Sequence, residues 1–403
     1  MISYGKQTID ESDITAVTDA LRSGWLTQGF HVEEFEDAFA DYCNAHYAVA
    51  CCNGTAALHL AYLAAGLDRN DSIITSPLTF AATANAALYA GAKPYLADIN
   101  PTTYNISPDK IDKTVSHINI NDNDHPLKAI VPVHFTGLPC NMEAISTIAK
   151  KNNLVIIEDA CHALGAKWQD NDGNWHKVGS CSHSHAAVFS FHPVKSITTG
   201  EGGLITTNDK DIYEKLKLFR CHGITKDQDS FINNNLAYTE NTPNPWYYEM
   251  QALGFNYRIT DIQCALGTNQ VKKIDKFMAR RQEIATVYNE SLKHSPHIKL
   301  PVTQENSQSA NHLYTVQITF DSLSTTRNEF FKRMQKKGIS LQVHYIPIHL
   351  QPYYQKRFRF KEGDFPEAES FYKNAVSLPI YPSLTDKDLK HIIENIIEEL
   401  KPR

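Results

Sequence analysis

One lysine stands in surroundings that are unusual for a lysine. Lys195 lies in the segment SFHPVKSITTGEGG, just after an apolar run of the kind that forms buried strands. A lysine whose pKa is lowered by burial is a base and a nucleophile, and its amine forms a Schiff base with the aldehyde of a carbonyl cofactor. Ser190, at the end of that run, is placed to bond a phosphate. The alternative for Lys195 alone is an ordinary surface lysine.

A carboxylate follows another apolar run. Asp159 ends the segment LVIIED, and open α/β sheets bind ligands at such strand ends. A buried carboxylate is costly unless a positive group pairs with it. A protonated pyridine nitrogen is such a group, and the pairing strengthens the ring as an electron sink. His162 follows three residues later and is placed to bond a ring hydroxyl. A helix cap is the alternative role for Asp159.

Two further segments have the pattern of phosphate-binding turns. In CCNGTAALHL a strand runs into a helix through Gly54 and Thr55. Helix N-termini bind phosphate, a glycine lets the backbone approach closely, and a threonine adds a hydroxyl donor. In GFNYRITDIQCALG, Asn256 and Arg258 precede a long helix, from which they could reach a phosphate in a neighbouring subunit. For both segments the alternative is a structural helix cap.

The elements that must position these residues alternate between strand and helix. Short β-branched runs suit strands that are buried on both faces of a mostly parallel sheet. Helical patterns separate most of them, which predicts a doubly wound α/β domain. The last two runs are joined by too few residues for a parallel crossover, so they should pair antiparallel. The seven predicted strands are Ala48–Cys52, Ser72–Ser76, Pro94–Asp98, Ala129–Val133, Leu154–Asp159, Ala187–Phe191 and Gly203–Thr207.

The C-terminal part of the chain predicts a second, smaller α+β domain. We place the large domain at residues 1–260 and the linking helix with the small domain at residues 261–403. A long helical pattern runs from Thr260, and two strand-like segments, HLYTVQITF and ISLQVHY, follow it. The amphipathic segment DKDLKHIIENIIEELK closes the chain. The stretch from Lys226 to Met250 is too long for a simple connection, as functional loops often are.

Composition excludes several functional classes. The 403 residues carry a net charge of −6, which gives no electrostatic footprint for nucleic acid or an anionic membrane. No apolar run is long enough to span a bilayer, and the N-terminus lacks the pattern of a secretory signal. The eight cysteines form no CxxC pair, which favours free thiols in a reducing cytoplasm. The segment CSHSH matches no standard zinc spacing, so we expect no metal.

These segments together resemble one family over nearly the whole chain. NGTAAL, EDACHALG, SFHPVKSITTGEGG, FRCHG and GFNYRITDIQCALG occur together in DegT-type sugar-nucleotide aminotransferases, which have the aspartate-aminotransferase fold of type I pyridoxal 5′-phosphate (PLP) enzymes. The resemblance implies PLP as cofactor, L-glutamate as amino donor and a UDP-linked keto sugar as acceptor. It also implies a homodimer with active sites shared between subunits.

The resemblance also implies roles for individual residues. Lys195 forms the Schiff base and acts as acid and base, and Asp159 pairs with the pyridine nitrogen. Phe80 stacks on the ring and His162 contacts its edge. The residues expected at the phosphate are Gly54, Thr55 and Ser190, with Asn256 from the partner subunit, and those expected at the sugar nucleotide are Tyr4, Trp25, Leu26, Thr27, His344 and Tyr345.

Three rival functions use the same fold. Related sugar dehydratases carry a histidine in place of the lysine, and the presence of Lys195 favours transamination. An aminotransferase of the same family that acts on another UDP- or dTDP-linked keto sugar stays open. A regulatory protein that binds PLP without turnover is opposed by the intact lysine, aspartate and phosphate loop. Sequence alone assigns no residue to the donor carboxylate, for which Arg220 and Arg258 are candidates.

Overall fold

The helices surround a central sheet in a computed structural model that describes residues 1–122 and 124–401. Several begin with side-chain caps, such as Asp10 before the first helix and Thr260 before the ninth, which satisfy otherwise unpaired backbone amides. The α-helices are α1 Glu11–Arg22, α2 Phe30–Cys43, α3 Gly54–Ala64, α4 Ala82–Tyr89, α5 Pro108–Asn121, α6 Met142–Asn152, α7 Lys210–Arg220, α8 Asn234–Ala237, α9 Asp261–Val271, α10 Ile274–Leu292, α11 Arg327–Lys336, α12 Pro352–Phe358, α13 Pro366–Asn374 and α14 Asp386–Glu399. Among the described residues, none of these helices combines the length and apolar character needed to cross a membrane.

The strands form one large sheet and several small ones. In chain order they are β1 Tyr47–Cys51, β2 Ser72–Thr75, β3 Lys93–Leu96, β4 Leu127–Val131, β5 Val155–Asp159, β6 Lys167–Gln169, β7 Trp175–Lys177, β8 Ala186–Ser190, β9 Gly203–Thr207, β10 Ile224–Thr225, β11 Tyr238–Thr239, β12 Thr242–Pro243, β13 Glu249–Met250, β14 Ile298–Lys299, β15 Ser307–Gln308, β16 Tyr314–Ile318 and β17 Ala375–Leu378.

The large sheet contains all seven strands predicted for the first domain. Its order is β1-β9-β8-β5-β4-β2-β3, and β9 runs antiparallel to both of its neighbours while the remaining pairs are parallel. Alternate strand residues such as Val49 and Ala50 belong to separate buried apolar clusters on the two faces. This burial explains why the strands are nearly continuous in apolar residues, and it confirms the predicted mostly parallel α/β fold and the antiparallel pair.

A second apolar core lies in the C-terminal part of the chain. It joins α10, α11 and α14 to the three-stranded antiparallel sheet β14-β16-β17. The helical pattern from Thr260 is divided into α9, which packs on α1 and α2, and α10, which carries the chain to this core. We propose that the boundary between the large and the small domain lies near residue 260, where the connection through α9 and α10 begins.

The prediction of a strand at ISLQVHY is wrong. Residues 339–345 make only single bridges, from Ile339 to Ile2 and from Gln342 to Ser377. The edge of the small sheet is occupied by β17, which sequence reasoning missed. After the bridge at Gln342, the segment turns away so that His344 and Tyr345 enter the wall of a cavity. The long polar stretch before Met250 folds into short pieces, α8 with the hairpin β11–β12 and the pairing of β10 with β13.

Candidate active site

A cavity of about 610 Å³ lies at the carboxyl end of the parallel strands. It collects side chains from distant parts of the chain, because parallel strands bring their ends to one edge of the sheet. The residues predicted from sequence that line it are Tyr4, Gly54, Thr55, Phe80, Asp159, His162, Ser190, Lys195, His344 and Tyr345.

Lys195 occupies the wall of this cavity and not the outer surface. The loop that carries it turns back sharply, since its backbone amide donates to the carbonyl of His192 at 2.8 Å. Burial lowers the pKa of Lys195 below its ordinary value, against the opposing influence of Cys161 and Asp159. A larger fraction of this amine is therefore neutral near pH 7 than of a free lysine, which is the state a base requires.

Asp159 is the buried carboxylate of the cavity and is held by two donors. The Oγ1 of Thr83 donates to its Oδ2 at 2.6 Å, and the amide of Cys161 donates to its Oδ1 at 3.2 Å. Thr83 lies in α4 and is itself 2.8 Å from the hydroxyl of Thr79. Sequence reasoning missed both threonines, although they flank Phe80 in LTFAAT. The two bonds fix the carboxylate at the end of β5, while leaving it lone pairs for a further donor.

The first turn of α3 forms a close-fitting cradle with Ser190. Asn53 caps the helix by accepting a hydrogen bond from the amide of Ala56 at 2.9 Å, and the preceding amides of Gly54 and Thr55 have no partner within the helix. A Cβ on Gly54 would lie 2.8 Å from the Cβ of Ser190, so only glycine fits there. The turn therefore presents backbone N–H groups and two hydroxyls to an anion.

Three histidines and a tyrosine line the side of the cavity next to the lysine. The hydroxyl of Tyr345 lies 2.9 Å from the Nε2 of His162, and the rings of His162 and His312 are 4.6 Å apart. Burial, with a contribution from Lys195, lowers the pKa of His162 and His312 well below the ordinary value and that of His344 to about 4. All three are neutral near pH 7. His312 was not predicted as a site residue, although it is the first residue of the predicted strand HLYTVQITF.

This donor set fits the pyridoxal phosphate expected from sequence. The cradle at Gly54 suits a phosphate, the fixed carboxylate of Asp159 suits a protonated ring nitrogen, and Lys195 supplies the amine. Phe80 is 60% exposed in the isolated chain and offers its ring to the cavity. The fit rests on groups that are already in place, since neither Asp159 nor Lys195 forms an ion pair with another residue that the structure describes.

Four predicted residues lie outside the cavity of their own chain. Trp25 is 58% and Leu26 46% exposed, and Thr27 is exposed and bridges to Thr260. Asn256 is exposed too and bridges to Cys221. The neighbour of Asn256, Tyr257, lines the cavity, so the extended backbone turns Asn256 to the opposite side. Their roles stay predictions that depend on a second subunit.

The two candidate arginines for the donor carboxylate also lie elsewhere. Arg220 and Arg258 line a second cavity of about 410 Å³. Arg220 is paired with the buried Glu36 and also donates to the carbonyl of Ala50 at 2.7 Å. Among the described residues that line the larger cavity, none is an arginine. Arg220 therefore has structural partners within its own chain.

Comparisons with a family model, with known sequences and with solved structures all point to the same aminotransferase family. Residues 7–397 match the model of the DegT/DnrJ/EryC1/StrS aminotransferase family. The chain is 37% identical to a UDP-4-amino-4,6-dideoxy-N-acetyl-beta-L-altrosamine transaminase of Campylobacter jejuni, over 100% of this chain and 99% of that protein. It is similar to the structure of Helicobacter pylori PseC, an aminotransferase involved in the biosynthesis of pseudoaminic acid, with a TM-score of 0.86 and 32% identity over 99% of both chains. A sugar aminotransferase of Streptococcus pneumoniae in its PLP form has a TM-score of 0.86 at 26% identity, covering 99% and 98% of the two chains.

Proposed function

Because this chain belongs to the DegT/DnrJ/EryC1/StrS aminotransferase family, we propose that it moves an amino group from L-glutamate to the C4 ketone of a UDP-linked 4-keto-6-deoxy-N-acetylhexosamine. It is a PLP-dependent sugar-nucleotide aminotransferase. The proposed product is UDP-4-amino-4,6-dideoxy-N-acetyl-beta-L-altrosamine, and the proposed pathway is the cytoplasmic synthesis of pseudaminic acid. The alternative is the same chemistry on another UDP- or dTDP-linked keto sugar.

One observation supports the chemistry above all others. Lys195, Asp159 and the anion cradle at Gly54 line a single cavity although they are far apart in the chain. Each is the residue type that one part of the cofactor needs: an amine for its aldehyde, a carboxylate for its ring nitrogen, and backbone N–H groups for its phosphate.

The residues of this chain have distinct tasks in the proposed reaction. When bound, PLP withdraws the electron pair left at the donor's α-carbon, so that the proton there becomes removable. Lys195, with its amine free and neutral, would take that proton on its Nζ and deliver it to the aldehyde-derived carbon of the cofactor. Asp159, fixed by Thr83, keeps a negative charge against the ring nitrogen. The sugar ketone then undergoes the same steps in reverse, with Lys195 again moving the proton.

The active site is proposed to be completed by a second copy of the chain. Asn256 faces away from the cavity of its own chain and is exposed, as is expected of a residue that binds the phosphate in a partner's site. Trp25, Leu26 and Thr27 are exposed as well and are proposed to reach the sugar nucleotide from the rim of the shared site.

Subunit mixing tests the shared site. Asn256→Asp places a negative charge beside the phosphate and should, in a homodimer, weaken cofactor binding about tenfold or more, because like charges repel. Lys195→Ala should be inactive by itself. When PLP is too scarce to fill the Asn256→Asp sites, reassociated mixtures of the two variants should regain activity, because one site of each mixed dimer then combines an intact Lys195 with an intact Asn256. Mixtures that stay inactive would show that Asn256 acts within its own chain.

A substrate panel tests the acceptor. UDP-, dTDP- and GDP-linked 4-keto-6-deoxy sugars, with and without the N-acetyl group, are offered with L-glutamate, and 2-oxoglutarate release is measured. We expect the UDP-linked N-acetyl sugar to have a kcat/KM at least about tenfold above the others, the difference that one well-placed polar contact confers. L-Aspartate and L-alanine serve as control donors. A higher kcat/KM for a dTDP- or GDP-linked sugar would replace the proposed acceptor, while the aminotransferase chemistry would stand.

A further inference from the structure

Three positive charges are concentrated at the end of α12. Lys356 and Arg357 lie in its last turn, Arg359 follows it directly, and all three residues are exposed. None of them forms a salt bridge with a residue that the structure describes, and Arg357 only lies over the ring of Phe358, at 5.7 Å. The whole chain has a net charge of −6, so these three residues form a basic patch on an acidic protein.

Arg359 has a backbone conformation that favours glycine. Its φ of 60° lies in the left-handed region, where a Cβ comes too close to the following carbonyl oxygen. Cations in the last turn of a helix are expected, because they face the negative end of the helix dipole, but this accounts only for Lys356 and Arg357. An arginine at a position that suits glycine indicates a use for its side chain.

Aromatic rings hold the basic patch against the large domain. Phe358 and Phe360 are partly buried against an apolar cluster that contains Ala84 of α4 and Tyr354 of α12. The rings of Tyr354 and Phe358 stack with centroids 5.7 Å apart, and that of Phe360 lies 5.9 Å from Phe358. The hydroxyl of Tyr354 donates to the side chain of Asn85, also in α4, at 2.7 Å. The cations therefore lie on a surface that is fixed to α4.

Helix α4 connects the basic patch to the active-site cavity. Phe80, just before this helix, and Tyr89, its last residue, both line the cavity and are more than half exposed. Burial and the neighbouring tyrosines, Tyr89 among them, raise the pKa of Tyr354, whereas Arg357 lowers it. A residue of the cavity lining and a residue of the basic patch thus act on the same hydroxyl, which places the patch beside the mouth of the cavity.

The cavity itself has little positive charge for an anionic acceptor. Among the described residues that line it, Lys195 is the only lysine or arginine, and it is assigned to the cofactor. A sugar nucleotide carries two negatively charged phosphates, whichever base and sugar they join. Charges of one sign beside a cleft raise the local concentration of an oppositely charged substrate, and arginine matches phosphate oxygens with paired N–H groups.

We propose that Lys356, Arg357 and Arg359 form a capture site for the diphosphate of the incoming sugar nucleotide at the mouth of the cavity. This inference rests on the proposed function only in that the acceptor is a nucleoside diphosphate sugar. The three residues touch no reacting atom, so they act on binding and not on the chemical steps. L-Glutamate, with a single net negative charge, gains less from them.

The test is the salt dependence of KM in the holoenzyme and in a variant with Lys356→Gln, Arg357→Gln and Arg359→Gln. At about 20 mM salt, where screening is weak, we expect KM for the sugar nucleotide and the inhibition constant of UDP to rise about tenfold. At about 300 mM salt the variant and the wild type should nearly coincide. The value of kcat should not change, and KM for L-glutamate should change less than KM for the sugar nucleotide.

Three control variants separate charge from fold. Arg357→Lys with Arg359→Lys keeps both charges and should retain most of the capture. Arg359→Gly should raise KM without lowering the melting temperature, since glycine adopts the left-handed conformation without a clash. The matched control removes three charges from exposed lysines of α5 and α14 and should leave KM unchanged; its substitutions are Lys110→Gln, Lys113→Gln and Lys387→Gln.

The possible outcomes separate clearly. An unchanged KM in the triple variant overturns the proposal, and so does a rise that is equal at low and high salt. An equal rise in the matched control would assign the effect to net charge and would also overturn it. UDP, dTDP and GDP carry the same diphosphate. If the proposed acceptor fails, the variants are therefore measured with the sugar nucleotide that the substrate panel identifies, and the two results stay distinct.

Discussion

Replacing Lys195 by alanine is expected to abolish amino transfer and the absorbance of the lysine-linked cofactor. The ε-amine is both the group that binds the cofactor covalently and the only base that we assign to the proton transfers. Loss of a positioned acid–base group alone lowers rates by about two to four orders of magnitude, and loss of covalent catalysis adds to this. We therefore expect kcat to fall by at least about a thousandfold. Stopped assays for 2-oxoglutarate and visible spectra check both results.

The controls for this variant separate charge from basicity. Lys195→Arg keeps a long cationic side chain, but a guanidinium does not lose its proton in proteins, so it should be as inactive as alanine. Lys210→Ala removes an exposed lysine at the start of α7 and should leave the rate unchanged. Turnover near the wild-type level in Lys195→Ala would remove the central residue of the mechanism.

The lowered pKa of Lys195 adds a pH dependence. Burial disfavours the charged amine, so the neutral form persists to lower pH than in a free lysine. Activity should decline as the solution becomes more acidic than this lowered pKa, because the amine is then protonated and cannot accept a proton.

Asp159→Asn is expected to retain the fold and lose most of the catalysis. The amide has nearly the shape of the carboxylate. In the unmodified protein the Oγ1 of Thr83 donates to the carboxylate at 2.6 Å, and the amide oxygen can accept the same hydrogen bond. The negative charge that keeps the ring nitrogen protonated is gone. Removing one preorganised electrostatic contact lowers kcat by about a hundredfold to a thousandfold, and we expect a loss of at least this size.

Paired measurements check this second prediction. The melting temperature of the apoprotein should change little, while kcat for both half-reactions should fall. Thr83→Ser keeps the hydroxyl donor to Asp159 and should retain most of the rate, so it controls for disturbance of α4. Normal kinetics in a folded Asp159→Asn variant would contradict the role of the carboxylate.

Features that depend on neighbouring residues in the sequence were predicted correctly, whereas a feature that depends on a distant partner was not. The seven strands of the large sheet were predictable because a strand that is buried on both faces consists of a short run of apolar residues. The antiparallel position of β9 followed from the length of the connection before it. The strand predicted at ISLQVHY did not form, because the segment bridges the edge strand β17 only at Gln342 and then continues into the cavity wall.

Local patterns in the sequence predicted the fold class and the residues that we propose to carry the chemistry, because each pattern is short: a strand end, a helix start, a lysine among apolar and hydroxyl groups. The resemblance to one family supplied the cofactor. Which side chains meet became known from the three-dimensional structure alone. Thr83 supports Asp159, Tyr345 pairs with His162, and Arg220 is bound to Glu36, each across a large distance in the chain. Such contacts leave no periodic trace in sequence, since a single side chain makes each of them and packing of whole elements brings them together.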